Sequence, residues 1–152
     1  MSDTPPVHIL IADDDPDDCM LTREAFAECK VSNPLHFVHN GEELLNYLKH
    51  RPPYTDDKQH PLPGLILLDL NMPLMDGREA LQAIKADKHL RSIPIVILTT
   101  SSAEEDIANS YQFGGVSFIT KPVSFSGLLK VIKALSRYWL EVVKLPLKRN
   151  YV

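Results

Sequence analysis

The run Leu65-Ile66-Leu67-Leu68-Asp69 is apolar for four residues and then stops on a carboxylate. A continuous apolar run reads as a strand buried on both faces, as strands are in a parallel sheet. Helices must then cover both sides of that sheet. In open α/β sheets, ligands bind outside the carboxyl ends of the strands. Asp69 is therefore either a polar start to a loop or a working group, and the rest of the chain has to decide.

Strand and helix signals alternate five times. Val7 to Ala12 is an apolar run, and Asp15 caps the following helix with Pro16 at its first position. Leu21, Ala25 and Cys29, with Phe26 beside them, give that helix an inward face. Asn33-Pro34 breaks the chain before a short strand, Leu35 to Val38. Asn40 caps a second helix with Glu43 as its capping-box partner and Leu44, Leu45 and Leu48 facing inward. After the third strand, Asp76 caps a helix carrying Ala80, Leu81 and Ile84. The fourth strand is Ile93 to Leu98, ending at Thr99. Ser102 and Glu105 form a capping-box pattern before Ile107, Ala108 and Tyr111. Gly114-Gly115 turns the chain into a fifth strand, Val116 to Thr120, ending at Lys121-Pro122. Ser124 starts a last helix with Leu128, Ile132, Leu135 and Trp139 on one face. The pattern is (βα)₅, an α/β fold with a doubly wound parallel sheet, because each pair of strands is bridged by a helix and crossovers are right-handed. All five strand ends meet at one edge.

Composition narrows the function. The chain has 152 residues, enough for one domain. A net charge of −4 argues against a nucleic-acid binder. No apolar stretch is long enough to span a membrane, and the N-terminus lacks the regions of a signal peptide, so the expected compartment is the cytoplasm. Cys19 and Cys29 fall in one predicted helix, roughly 15 Å apart, too far for a disulfide. The six histidines are scattered, and His36 and His39 point to opposite faces of a predicted strand. Arg51 to Gly64, with four prolines, is a long loop that reads as a surface insertion.

The strand ends supply Asp13-Asp14-Asp15, Asp69, Thr99 and Lys121. Carboxylates gathered in one cleft repel unless cations neutralise them. Oxygen ligands favour a hard ion such as Mg²⁺. An ion beside a lysine and a threonine hydroxyl suits a phosphoryl group, and an ionised Asp is a competent nucleophile for it.

The order Asp13-Asp14, Asp69-Leu-Asn-Met-Pro, Asp76-Gly77, Thr99, Lys121-Pro122 resembles the response-regulator receiver domain of two-component signalling, from about Val7 to Trp139. The resemblance implies a flavodoxin-like sheet of strand order 2-1-3-4-5. It implies that Asp69 is the phosphoacceptor. Mg²⁺ would be held by the side chains of Asp14 and Asp69, the carbonyl of Asn71, and Asp13 through water. Lys121 and Thr99 would bond phosphoryl oxygens. Thr99 and Phe118 would form the switch, with Phe118 relying on packing because it has no hydroxyl. The Lys121-Pro122 bond would be cis.

The Trp139-Leu140-Glu141-x-Val143-x-Leu145-Pro146 ending and the Pro-rich loop resemble single-domain regulators paired with bacterial phytochromes. That implies a red-light-sensing histidine kinase as the upstream partner. Residues 1–6 are expected to be disordered, 7–140 to form the receiver domain, and 141–152 to be an extension serving as a dimerisation arm. The apolar tail favours a homodimer over a fold-back on its own domain. The chain stops at Val152, so output is expected through protein–protein contact or phosphorelay, without conventional enzyme activity. Three alternatives compete. A Mg²⁺-dependent phosphatase with an Asp nucleophile usually carries that residue after the first strand. A flavin carrier of the same topology needs a phosphate loop where this chain has three acids. A binding module that never takes up phosphate would not need the intact site.

Overall fold

The computed structural model of the chain describes residues 7–75, 77–99 and 116–137. Five strands form one sheet: β1 (Ile9–Ala12), β2 (Leu35–Val38), β3 (Leu65–Asp69), β4 (Ile95–Thr99) and β5 (Val116–Thr120). Their order is β2-β1-β3-β4-β5, and every neighbouring pair is parallel. This is the flavodoxin-like arrangement expected. Four helices accompany them among the described residues: α1 (Pro16–Glu28), α2 (Gly41–Leu48), α3 (Gly77–Ala86) and α4 (Phe125–Leu135).

The helix starts follow capping chemistry. The Asp15 side chain accepts from the amides of Asp17 at 2.8 Å and Asp18 at 3.4 Å. Asn40 accepts from the Glu43 amide at 2.7 Å, and the Glu43 carboxylate reaches back one residue before the cap, to the His39 amide at 2.8 Å. Ser124 accepts from the Gly127 amide at 3.0 Å. The bonds accepted by Asp15, Asn40 and Ser124 satisfy first-turn donors that each helix itself leaves unpaired.

Side-chain alternation along the strands makes two cores. Leu10, Val38, Ile66, Leu68, Ile95 and Ile97 pack under α2 and α3 with Leu44, Leu48, Leu81 and Ile84. Ile9, Ile11, Leu65, Leu67, Val96 and Leu98 pack under α1 and α4 with Ala25, Phe26, Ile132 and Leu135. β1, β3 and residues Ile95 to Leu98 of β4 are buried on both faces, as their unbroken apolar runs require.

Three readings need correction. Leu21 is 40% exposed, because the inward stripe of α1 runs through Cys19, Thr22, Ala25 and Phe26 instead. β2 ends at Val38, so His39 lies beyond it, and the histidines are not all scattered: His36 meets His8 across the β1–β2 pair. Arg51 to Gly64 does lie at the surface, exposed along most of its length, and is anchored to α2 by the Tyr47 hydroxyl, which donates to the Pro61 carbonyl at 3.1 Å. The cis peptide bond among the described residues joins Pro52 and Pro53, so Lys121–Pro122 is trans. The small energy gap between prolyl isomers leaves that choice to local packing.

Residues 1–6, Asp76, the segment 102–111 expected to be helical, Gly114-Gly115, Trp139 and the 141–152 extension lie outside the described residues. Among the described residues no helix is long and apolar enough to cross a membrane.

Candidate functional site

The carboxyl ends of β1 and β3 place Asp13 and Asp69 side by side. Ile9, Ile11 and Asp13 alternate toward the α1–α4 face, as do Leu65, Leu67 and Asp69. Both acids are therefore buried, at 5% and 8% exposure. Asp13 is fixed from its backbone outward. Its amide donates to the Val38 carbonyl at 3.0 Å, and its carbonyl accepts from the His39 ring at 3.1 Å and from the Cys19 thiol at 3.4 Å. Burial, and secondarily the Asp13 charge, pushes the Cys19 thiol up to about 11, so it stays protonated and keeps donating.

Lys121, immediately after β5, reaches into this edge. Its ammonium donates to Asp13 Oδ2 at 2.7 Å, Asp18 Oδ2 at 2.8 Å and Asp69 Oδ2 at 3.2 Å. The other oxygens of the two buried acids hold amides of their own loops: Asp15 N donates to Asp13 Oδ1 at 3.0 Å, and Asn71 N donates to Asp69 Oδ1 at 2.9 Å. Asp14 is exposed, and one oxygen each from Asp13, Asp14 and Asp69 lies within 4.8 Å of the others.

The electrostatics are unbalanced. Burial alone would lower the Lys121 pKa, but its bonds to Asp13 and Asp18 and the charges of Asp13 and Asp69 raise it above the ordinary lysine value. The ammonium is locked on. Asp13 is nevertheless raised, first by burial and also by the Asp69 charge, despite opposing help from Lys121 and the Asp15 amide. One ammonium does not neutralise this group of acids, so a second cation would relieve a real cost. Three carboxylates at that spacing are a donor set for a hard divalent ion. The residues present fit Mg²⁺.

The structure thus brings together Asp13, Asp14, Asp69 and Lys121, with Asn71 at the start of the loop. Thr99 ends β4 and pairs with Thr120, while Phe118 in β5 pairs with Ile97 through the backbone; their side chains lie outside the description. Sequence reasoning missed Asp18, which reads as one more acid in the first turn of α1. No local pattern signals it, because Asp13 and Asp14 precede α1 and the residue it bonds, Lys121, lies 103 residues away. Beside the site, a cleft of about 110 Å³ opens between α1 and the start of α4, lined by Leu21, Thr22, Val123, Phe125 and Leu128 as well as the acids.

Gly77 lets α3 start against the site. A Cβ there would lie 2.6 Å from the Asp69 carbonyl oxygen and 2.6 Å from Leu70 Cα, both backbone atoms. Its amide donates to the Leu70 carbonyl at 2.9 Å, closing the loop that follows Asp69.

Comparisons with known proteins agree with this geometry. The response regulator Rcp1 of Synechocystis sp. (strain ATCC 27184 / PCC 6803 / Kazusa) is 36% identical over 148 residues, covering 96% of this chain and 99% of that protein. The crystal structure of the phosphorylated cyanobacterial phytochrome response regulator RcpA is 37% identical, covers 93% of this chain and 99% of its own, and superposes with a TM-score of 0.86. The Mn²⁺-bound form of Rcp1 is 35% identical with the same coverages and a TM-score of 0.83. The sequence profile of the response regulator receiver domain matches residues 9–133, and the chain belongs to that family.

Proposed function

We propose that this chain is a response regulator that takes a phosphoryl group onto Asp69 from a sensor histidine kinase, a phytochrome, in the cytoplasm. It passes the signal on by contact with a protein partner or by onward phosphotransfer. The observation that carries the reading is the single Lys121 ammonium held by Asp13, Asp18 and Asp69 at the strand ends. The similarity to a phosphorylated phytochrome response regulator supports the phosphoryl chemistry and the choice of kinase. The Mn²⁺-bound relative supports a divalent ion.

Asp13, Asp14 and Asp69, with the Asn71 carbonyl, would hold Mg²⁺. When bound, the ion supplies positive charge to the phosphoryl oxygens. An Asp69 carboxylate oxygen attacks phosphorus, forming a P–O bond and an acyl phosphate. The P–N bond of the donor phosphohistidine breaks, and its electron pair leaves with the imidazole. Lys121 retains Asp13 and Asp18 and turns its third bond to a phosphoryl oxygen. The Thr99 hydroxyl takes another oxygen, and Phe118 follows by packing.

Incubation with acetyl phosphate and Mg²⁺ should add one phosphoryl group by intact-mass spectrometry, and Asp69→Ala should add none. Labelling that survives the substitution overturns the assignment. The apolar tail pattern of Leu140, Val142, Val143, Leu145 and Leu147 supports a homodimer. Size-exclusion should show a monomer once residues after Leu140 are removed, and an unchanged elution volume counts against the arm.

A further inference from the structure

At the opposite edge of the sheet, where the strands begin, imidazoles and phenols form a connected group. His8 Nδ1 and His36 Nε2 are 2.8 Å apart, and the two rings stack with centroids 5.1 Å apart. His36 then meets Tyr47 of α2 at 5.7 Å. Tyr47 touches Tyr54 at 5.3 Å and His60 at 5.5 Å, and those two meet edge-on at 5.1 Å. Tyr54 and His60 belong to the loop 51–64, so this group ties the loop to β1, β2 and α2. The Gly64 amide closes the same loop onto the His8 carbonyl at 2.9 Å.

The His8–His36 contact has a proton count. A nitrogen–nitrogen hydrogen bond needs one N–H and one bare lone pair. The neutral pair meets that condition, and so does the pair carrying one extra proton. With two extra protons, two N–H groups point at each other across 2.8 Å, and two cations face one another. The contact must then open. His50 behaves differently: its Nε2 already donates to the His60 carbonyl at 3.0 Å and keeps doing so when the ring is charged.

The surroundings make the charged forms costly. His36 is lowered from its ordinary 6.5 by burial first, then by His8 and His60. Burial likewise lowers His8. The titratable groups facing the pair from other elements are His60 of the loop and the phenols of Tyr47 and Tyr54. Both phenols are raised, chiefly by burial, with Glu43 of α2 acting further on Tyr54, so they stay neutral through the acid range.

We infer that the His8–His36 contact is a proton-operated latch that, through the Tyr47 ring and the Gly64–His8 backbone bond, holds the 51–64 loop on the sheet near neutrality and releases it on acidification. The sign follows from linkage. Groups whose folded pKa is depressed bind fewer protons when closed, so the closed loop is fully favoured above about 6.5 and loses that advantage as pH falls below it. Each proton taken up on opening raises the opening constant by up to about tenfold per pH unit.

The test is amide hydrogen exchange by mass spectrometry on the full chain at pH 7.5 and 5.5, corrected for intrinsic rates. In the wild type, protection in 51–64 should fall by about tenfold or more, while β1, β3 and β4 peptides keep theirs. His36→Gln retains a hydrogen-bonding side chain without the titration, so it should lose most of that pH dependence. Ring NMR of the wild type gives an independent readout, with His8 and His36 titrating below 6.5 in coupled steps. Unchanged loop protection in the wild type, a full pH response in His36→Gln, or two uncoupled titrations at ordinary values would each overturn the latch.

Discussion

Lys121→Met removes the only ammonium that touches Asp13, Asp18 and Asp69 among the described contacts, while keeping most of the stem. The lysine side chain is 14% exposed, Asp13 7% and Asp69 11%, so two of its three partners are left as buried charges. Breaking a buried pair from one side costs about 3–5 kcal/mol. Asp18 is 36% exposed, and its share is discounted to about 0–1 kcal/mol by solvent screening. We therefore expect a loss near the lower end, about 3 kcal/mol, in the absence of divalent ions. For a domain of this size that is about 6–12 °C in Tm. The Lys121 pKa is raised on folding, so its stabilisation is fully present below the ordinary 10.5 and is lost only as pH rises past it. The deficit should thus persist across the neutral range and shrink in acid, where Asp13, itself raised, protonates early. Mg²⁺ at 100 times its Kd stabilises any binder by about 2.7 kcal/mol. It should help the variant more, because the ion becomes the sole cation against the acids. Calorimetric scans with and without Mg²⁺ should show the gap at least halved by the ion. A gap under about 2 °C without Mg²⁺, or one that Mg²⁺ leaves unchanged, would refute the idea that Lys121 and the ion share one charge-neutralising task.

Other substitutions separate roles that the site brings close together. Asp13→Asn should weaken Mg²⁺ binding at least tenfold by titration calorimetry, about 1.4 kcal/mol, whereas Asp18→Asn should weaken it less than threefold, since Asp18 meets Lys121 but is not among the clustered oxygens; equal losses would erase that distinction. Gly77→Ala drives a methyl into the Asp69 and Leu70 backbone, so urea unfolding should register a loss of about 1–3 kcal/mol, and a neutral result would mean that α3 can shift freely. Asn40→Ala should cost about 1 kcal/mol through the lost cap on the Glu43 amide, with Asn40→Ser restoring most of it. Ile132→Ala, fully buried between α4 and the sheet, should cost about 2–5 kcal/mol without altering Mg²⁺ affinity.

What could be read from sequence was whatever depends on local pattern. Leu65 to Asp69 and Leu35 to Val38 coincide with their strands because an apolar run bounded by loop residues has few alternatives. The caps at Asp15, Asn40 and Ser124 follow from side chains that hydrogen-bond within four residues. Failures came where tertiary geometry decides. Leu21 fits an i, i+4 stripe but is turned toward the cleft, since Cys19 and Thr22 take the inward positions. Asp18 serves a lysine 103 residues away, a contact no local period encodes. His8 and His36 meet only because β1 and β2 are neighbours with Leu10 opposite His36.

The geometry of the three acids explains how a charge added at Asp69 could be accepted without moving the sheet. Asp13 and Asp69 each give one oxygen to an amide of their own loop and the other to Lys121. Their orientation is therefore set before any ligand arrives, which is what preorganised stabilisation of developing charge requires. The three lysine contacts are unequal: 2.7 Å and 2.8 Å to Asp13 and Asp18, but 3.2 Å to Asp69. The longest is the one most readily exchanged, and it is the one on the proposed acceptor. A phosphoryl group there carries more charge than the carboxylate it modifies, so under the proposed reading Lys121 gains by following it while its ammonium keeps its bonds to Asp13 and Asp18. Residues 70–75 are pinned at one end by the Gly77 amide on the Leu70 carbonyl at 2.9 Å and at the other by the Gly41 amide on the Met75 carbonyl at 2.8 Å. That second bond fastens the loop to the first turn of α2, so a change at Asp69 has a short covalent and hydrogen-bonded route to the helix on the far face of the sheet.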